Sequence, residues 1–155
     1  MDKAFKEAAY AQAWNDLERL LAQENDRIAK MSTINAVLKH ALLYYFWVWF
    51  YLVYKPGHLK IWPYQGTVGC LNISFDRGVC GECATTEKTV VVPDVHLFPG
   101  HIACDAMSNS EIVVPVFENG SMIAVFDVDS TELASFDDTD QEWLEKIMAR
   151  RFGNE

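Results

Sequence analysis

Asn119-Gly120 stands between two apolar runs, Ile112 to Phe117 and Met122 to Asp129. Asn-Gly suits a two-residue turn that needs positive φ at both central positions, so the flanking runs are expected to pair as antiparallel strands. A strict two-residue loop pairs Glu118 with Ser121 and, counting back, Glu111 with Val128. Side chains alternate along a strand, so Asp127 and Asp129 share a face with Ile123 and Val125, the two acids about 7 Å apart. Glu111 joins that face only if the register slips by one through a bulge or longer loop. Pro115 cannot donate to a ladder and makes a bulge or an edge position plausible.

The rest of the chain supplies helices for this hairpin to pack against. Residues 2 to about 23 place Phe5, Ala8, Ala9, Ala13, Trp14, Leu17, Leu20 and Leu21 at helical spacings. Ser32 is the expected N-cap of a second helix carrying Ile34, Val37, Leu38, Ala41 and Leu42. Phe46 to Tyr54 reads as a strand, Lys55-Pro56-Gly57-His58 as a turn and Leu59 to Tyr64 as the returning strand. A short apolar stretch surrounds Cys70 to Ile73, a short helix opens at Gly78, and Val90 to Val92 is a strand stopped by Pro93. A long loop, Asp94 to Ser110, precedes the hairpin. Asp138 with Gln141 resembles a capping box for a last helix with Trp143, Leu144, Ile147, Met148 and Phe152 on its apolar face. The order predicts an α+β domain with a central antiparallel sheet.

The 155 residues suffice for one domain with a core of its own. Thirteen basic against 22 acidic residues give a net charge of −9, which opposes nucleic acid or an anionic membrane as partner. The longest apolar run, Ala41 to Val53, is too short for a span needing about 20 residues. The charged N-terminus lacks the pattern of a secretory signal, so a cytoplasmic location is expected. There, four cysteines are reactive, metal-binding or inert more often than structurally bridged.

Those cysteines are Cys70, Cys80, Cys83 and Cys104. Cys80-Gly-Glu-Cys83 has the C-x-x-C spacing but neither the βαβ context of a thioredoxin motif nor a second ligand pair for zinc. Cys104 lies between His101 and Asp105; it is either a nucleophile assisted by His101 or a small buried hydrophobe. His96 fits a loop hydrogen-bonding role, and His40 and His58 read as structural. Asp127 and Asp129 fit a solvated strand end or a pocket that wants a cation or a proton.

Pro63-Tyr64-Gln65-Gly66, Arg77-Gly78-Val79-Cys80-Gly81, Val92-Pro93-Asp94-Val95-His96, GHIACDAMSNSEIVVPV and FDVDSTELASFDDTD together resemble the free methionine-(R)-sulfoxide reductases, small enzymes on the GAF fold. The resemblance covers roughly Ser32 to Phe152 and implies a GAF-like domain over residues 1–155. In that domain the N- and C-terminal helices pack on the sheet, and helix 1–31 is available for a homodimer. It implies that Cys104 attacks the sulfoxide sulfur and becomes a sulfenic acid, that Cys70 condenses with it, and that Cys80 assists or resolves in its place. Glu111, Asp127 and Asp129 become the substrate carboxylates, with Trp47 and Trp49 as aromatic walls. Thioredoxin or a similar dithiol restores the thiols. No metal or organic cofactor is called for.

Three residues depart from the family pattern. Trp49 stands where a small residue is expected, Trp62 where a glycine precedes Pro63, and Asp76 where a glycine precedes Arg77. The two indoles are expected to narrow the pocket. Cys83 has no family counterpart and is able to compete with Cys80 as a resolving thiol. The alternative function is a non-catalytic GAF-type sensor, for which three cysteines have no use.

Overall fold

Asn119 and Gly120 both have positive φ, 53° and 74°, as the two-residue turn requires. The computed structural model describes residues 2–102 and 104–153. The turn joins β5 (Ser110–Glu118) to β6 (Ser121–Ser130). Glu118 faces Ser121 and Phe117 faces Met122, but Val116 faces Ala124, so Ile123 is an extra residue in β6. Beyond this bulge every pairing is shifted by one, and Glu111 faces Asp129 instead of Val128. Ile123 consequently leaves the aspartates' face and packs on the opposite side. The bulge does not fall at Pro115, which pairs with Val125 beyond the last β4 pairing at Val113.

β6 and β5 lie inside a six-stranded antiparallel sheet of order β3-β2-β1-β6-β5-β4. The other strands are β1 (Trp47–Lys55), β2 (His58–Ile61), β3 (Asn72–Ser74) and β4 (Val90–Val92). β2 ends before the predicted Tyr64. The Trp62 N–H makes a last bond to Phe50 O at 3.0 Å, and Pro63 then has no N–H to continue the ladder.

One face of the sheet is covered by α1 (Lys3–Leu20), α2 (Arg27–Ala41) and α4 (Asp138–Phe152). Tyr10, Leu17, Ile34, Leu38, Leu144 and Ile147 pack there on Val48, Phe50, Val114, Phe126 and Val128. The buried stripe of α1 is Lys6, Tyr10, Ala13 and Leu17, whereas Phe5 and Leu20 are exposed. Lys6 tolerates burial because it bonds to Asp137, Asp140 and the carbonyl of Ser135. The N-cap of α2 lies six residues before the expected one: Asp26, not Ser32, accepts from Ala29 N at 2.8 Å. α4 has its capping box on Asp137 and Asp140, one residue earlier than expected. No helix among the described residues is long and apolar enough to cross a membrane.

The other face is covered by α3 (Gly78–Thr86) and by the segment after β4, which makes one 3-10 turn at Val95–Leu97. Val79, Cys80, Cys83, Val92 and Val95 pack on Trp47, Trp49, Tyr51, Val113 and Val125. With both faces covered, β5 and β6 read as nearly unbroken apolar runs; Glu111, Asp127 and Asp129 point to the α3 side, and Glu118 at the turn pairs with Arg27 of α2.

Candidate active site

The register places carboxyls in adjacent rows of the α3 face. Trp47, Asp129 and Glu111 form one row across β1, β6 and β5, and Trp49, Asp127 and Val113 form the next. Glu111, Asp127 and Asp129 are all at least nine-tenths buried. The bulge at Ile123 creates this cluster, since without it Glu111 would point into the helix-side core.

Residues 98–102 and 104–108 and the start of α3 close over the acids. One cavity is lined by Trp49, Arg77, Cys80, His101, Cys104, Ser108 and the three carboxyls. Cys104 is joined to Cys70 by a disulfide, with Cα atoms 5.2 Å apart. Thr67 and Asp105 hydrogen-bond beside it, tying the two cysteine-bearing loops together a second time. In this state the cavity leaves about 30 Å³ of accessible space, room for water and not for an amino acid. Gly78 has a φ of +66°, and a Cβ there would stand 3.3 Å from Ile102, so α3 and the loop meet at van der Waals contact.

Burial sets the proton chemistry. It raises all three carboxyls above the usual range, Asp127 to about 7 and the other two well above their ordinary values. Neighbouring Asp127 adds to the effect at Glu111 and Asp129, and the Ser108 hydroxyl opposes it at Asp129. At Asp127 the opposing influences are Cys80 and Glu111. The Cys80 thiol donates to Asp127 Oδ2 at 3.0 Å, while Asp127 Oδ1 has no partner among the described residues. Burial, then Asp127 and Glu111, raises the Cys80 thiol well above its ordinary value. His101 moves down, through burial and the nearby His96.

The residues singled out from sequence separate into three groups. Cys80, Cys104, Glu111, Asp127, Asp129 and Trp49 line the cavity, and Cys70 is bonded to Cys104. Trp47 lies behind Trp49 and stacks edge-on to Tyr64. Trp62 packs with the helix-side core, so Trp49 alone of the two extra indoles narrows the cavity. Asp76 is exposed and bonded to Ser74. Arg77 and Ser108 were not singled out, although both lie in the motifs that carried the resemblance; their side chains line the cavity. A metal ion would find three potential ligand atoms, on Cys80, Glu111 and Asp127, within 4.8 Å of one another.

A six-stranded antiparallel sheet covered on one face by α1, α2 and α4, with a cavity lined by three buried carboxyls on the other, defines the class. The GAF domain family matches residues 34–150. GAF domain-containing protein A of Dictyostelium discoideum is 45% identical, over 96% of this chain and 93% of that protein. The free methionine-R-sulfoxide reductase of Escherichia coli is 38% identical, over 91% of this chain and 85% of that one. The free methionine-R-sulfoxide reductase of Neisseria meningitidis, solved in complex with its substrate, superposes with a TM-score of 0.88 at 45% identity, covering 98% of this chain and 91% of that one. The chain belongs to the free methionine-(R)-sulfoxide reductase family of GAF domains.

Proposed function

We propose that the protein reduces free L-methionine-(R)-sulfoxide to methionine with Cys104 as nucleophile. The observation that carries this reading is the Cys70–Cys104 bond at the rim of a cavity floored by three buried carboxyls. That bond is the product a sulfoxide-reducing thiol pair would leave behind.

In the reduced chain the Cys104 thiolate attacks the sulfoxide sulfur. The sulfoxide oxygen takes a proton from a carboxylic acid of the floor, without which the sulfur is a poor electrophile. Asp127, with its pKa near 7, is poised for that transfer at neutral pH. The oxygen moves to Cys104 as methionine leaves, giving a sulfenic acid. Cys70 attacks that sulfur, water departs, and the disulfide forms; a dithiol such as thioredoxin reduces it by exchange. Cys80 is the third thiol, assisting at Asp127 or resolving in place of Cys70.

The same acids select the substrate. The α-ammonium of a free amino acid supplies the counter-charge that lets Glu111 and Asp129 ionise against their burial, and a peptide-bound methionine lacks it. The Trp49 face receives the polarised S-methyl group. Substrate entry requires the disulfide to open, because the joined loops leave too little space. A single domain and a cytoplasmic setting, where dithiol reductants are maintained, belong to the same reading.

The test is a stereospecific assay of pure protein with dithiothreitol. Consumption of free L-methionine-(R)-sulfoxide with the S epimer untouched supports the proposal. No turnover of either epimer with all thiols reduced removes it.

A further inference from the structure

Cys83 has no place in the mechanism above, yet it is fully buried, three residues from Cys80 on α3. All four cysteines belong to one cluster on the α3 face, with Cys80 and Cys83 inside it and Cys70 and Cys104 packed against it. Cys80 and Cys104 line the same cavity. Cys83 follows Cys80 by one helical turn on α3.

We propose that Cys80 and Cys83 are a second dithiol, which reduces the Cys70–Cys104 disulfide from within the chain and frees Cys104 for another turnover. The exchange conserves electrons. Cys80 sulfur attacks Cys104 sulfur and expels Cys70 as thiolate. The Cys80 proton passes to Asp127, its hydrogen-bond acceptor, and from there to Cys70. Cys83 then attacks Cys80 sulfur, expels Cys104, and its proton ends on Cys104. Two thiols have become a disulfide and one disulfide has become two thiols.

Helix geometry allows the new bond with a small adjustment. Residues three apart on a helix have Cβ atoms about 5–6 Å apart, against about 3.5–4.5 Å in a disulfide. Cys80 is the third residue of α3, and the first backbone bond of that turn runs from Gly81 N to Arg77 O. Its own N–H is therefore outside the ladder, and the closing motion is confined to the first turn. An unfavourable exchange is still drawn forward, because each Cys104 released is consumed by the next sulfoxide. Burial holds both α3 thiols protonated, so the second equivalent follows the first in a slower phase.

The second turnover rests on the reductase reading; the exchange does not. Fully reduced protein, freed of reductant, is given excess L-methionine-(R)-sulfoxide and the methionine per chain is counted. The expected count is two for wild type and one for Cys83→Ala. One in both, or two in both, overturns the relay while leaving the reductase intact; none in wild type removes the reductase reading instead. Peptide mapping decides the exchange without sulfoxide and without a variant. Wild type oxidised with one equivalent of diamide is sampled over time, alkylated with iodoacetamide and digested with trypsin. The peptide Gly78–Lys88 is expected to appear unalkylated and two hydrogens lighter, as Cys70 and Cys104 become alkylatable. A peptide that stays fully alkylated at both cysteines overturns the proposal.

Discussion

Phe126 and Asp127 are consecutive on β6, and their side chains leave the sheet in opposite directions. Phe126 enters the core built by α1, α2 and α4. Asp127 enters the cavity under α3. The helix side also buries an aspartate, Asp140, and the two acids show how the faces differ. Asp140 accepts from Lys6, Tyr10, Tyr44 and the Asp137 N–H, so its charge is compensated where it sits. Asp127 has one thiol donor, one oxygen without a partner among the described residues, and two more acids beside it. A buried charge compensated by a lysine and two phenols ties N- and C-terminal helices together. A buried acid left short of partners holds its proton to higher pH, and such a group is available for chemistry.

The largest effect is expected from Cys104→Ser. It is expected to abolish the first turnover, read as methionine released by reduced protein, while the thermal midpoint of the reduced variant stays within a few degrees of wild type. A loss of fold instead would place Cys104 among the structural groups.

Asp127→Asn comes next and separates the two faces by sign. Activity is expected to fall by about 10²–10⁴-fold, the usual scale for a lost general acid. Stability is expected to move the other way. The folded pKa of about 7 lies above the unfolded value near 3.8, so between these limits the fold holds an extra proton and wild-type stability falls as pH rises. The cost is complete above about pH 7, and the asparagine variant does not bear it. Urea melts should therefore favour Asp127→Asn over wild type at pH 8, with the advantage shrinking towards pH 4. Phe126→Ala is its mirror image. It should cost about 3–5 kcal/mol of stability with kcat per folded molecule retained, since the residue touches the helix core alone.

The sequence disclosed the hairpin but not its register. Asn119-Gly120 has a conformational demand that residue identity reveals. The bulge at Ile123 has none, because an apolar residue is acceptable on either face of a sheet covered on both. That single residue determines whether Glu111 enters the site. The burial of Lys6 was equally hidden, since its partner Asp140 is 134 positions away and lysine on a helix ordinarily reads as surface. The pairing of Cys70 with Cys104 came from family resemblance, not from spacing. The start of α2 is obscured for a local reason. Gln23, Glu24, Asn25 and Asp26 are a run of polar residues that reads as a break between helices, and Ser32 is the more conspicuous cap before the apolar stripe.

The smallest effect is confined to the helix face. Asp26→Ala removes the acceptor for Ala29 N and is expected to cost about 1 kcal/mol, within the usual range for a lost N-cap. Ser32→Ala replaces an exposed residue inside α2 with a better helix former and is expected to be neutral or slightly stabilising. Urea melts of the two variants read the difference directly, and a larger loss in Ser32→Ala would mean that the helix starts where the sequence first suggested. Turnover should be unchanged in both, because α2 meets the sheet on the side away from the carboxyls. A change in kcat for Asp26→Ala would instead show that strain on the helix face reaches the cavity through β1, whose alternate residues serve both sides.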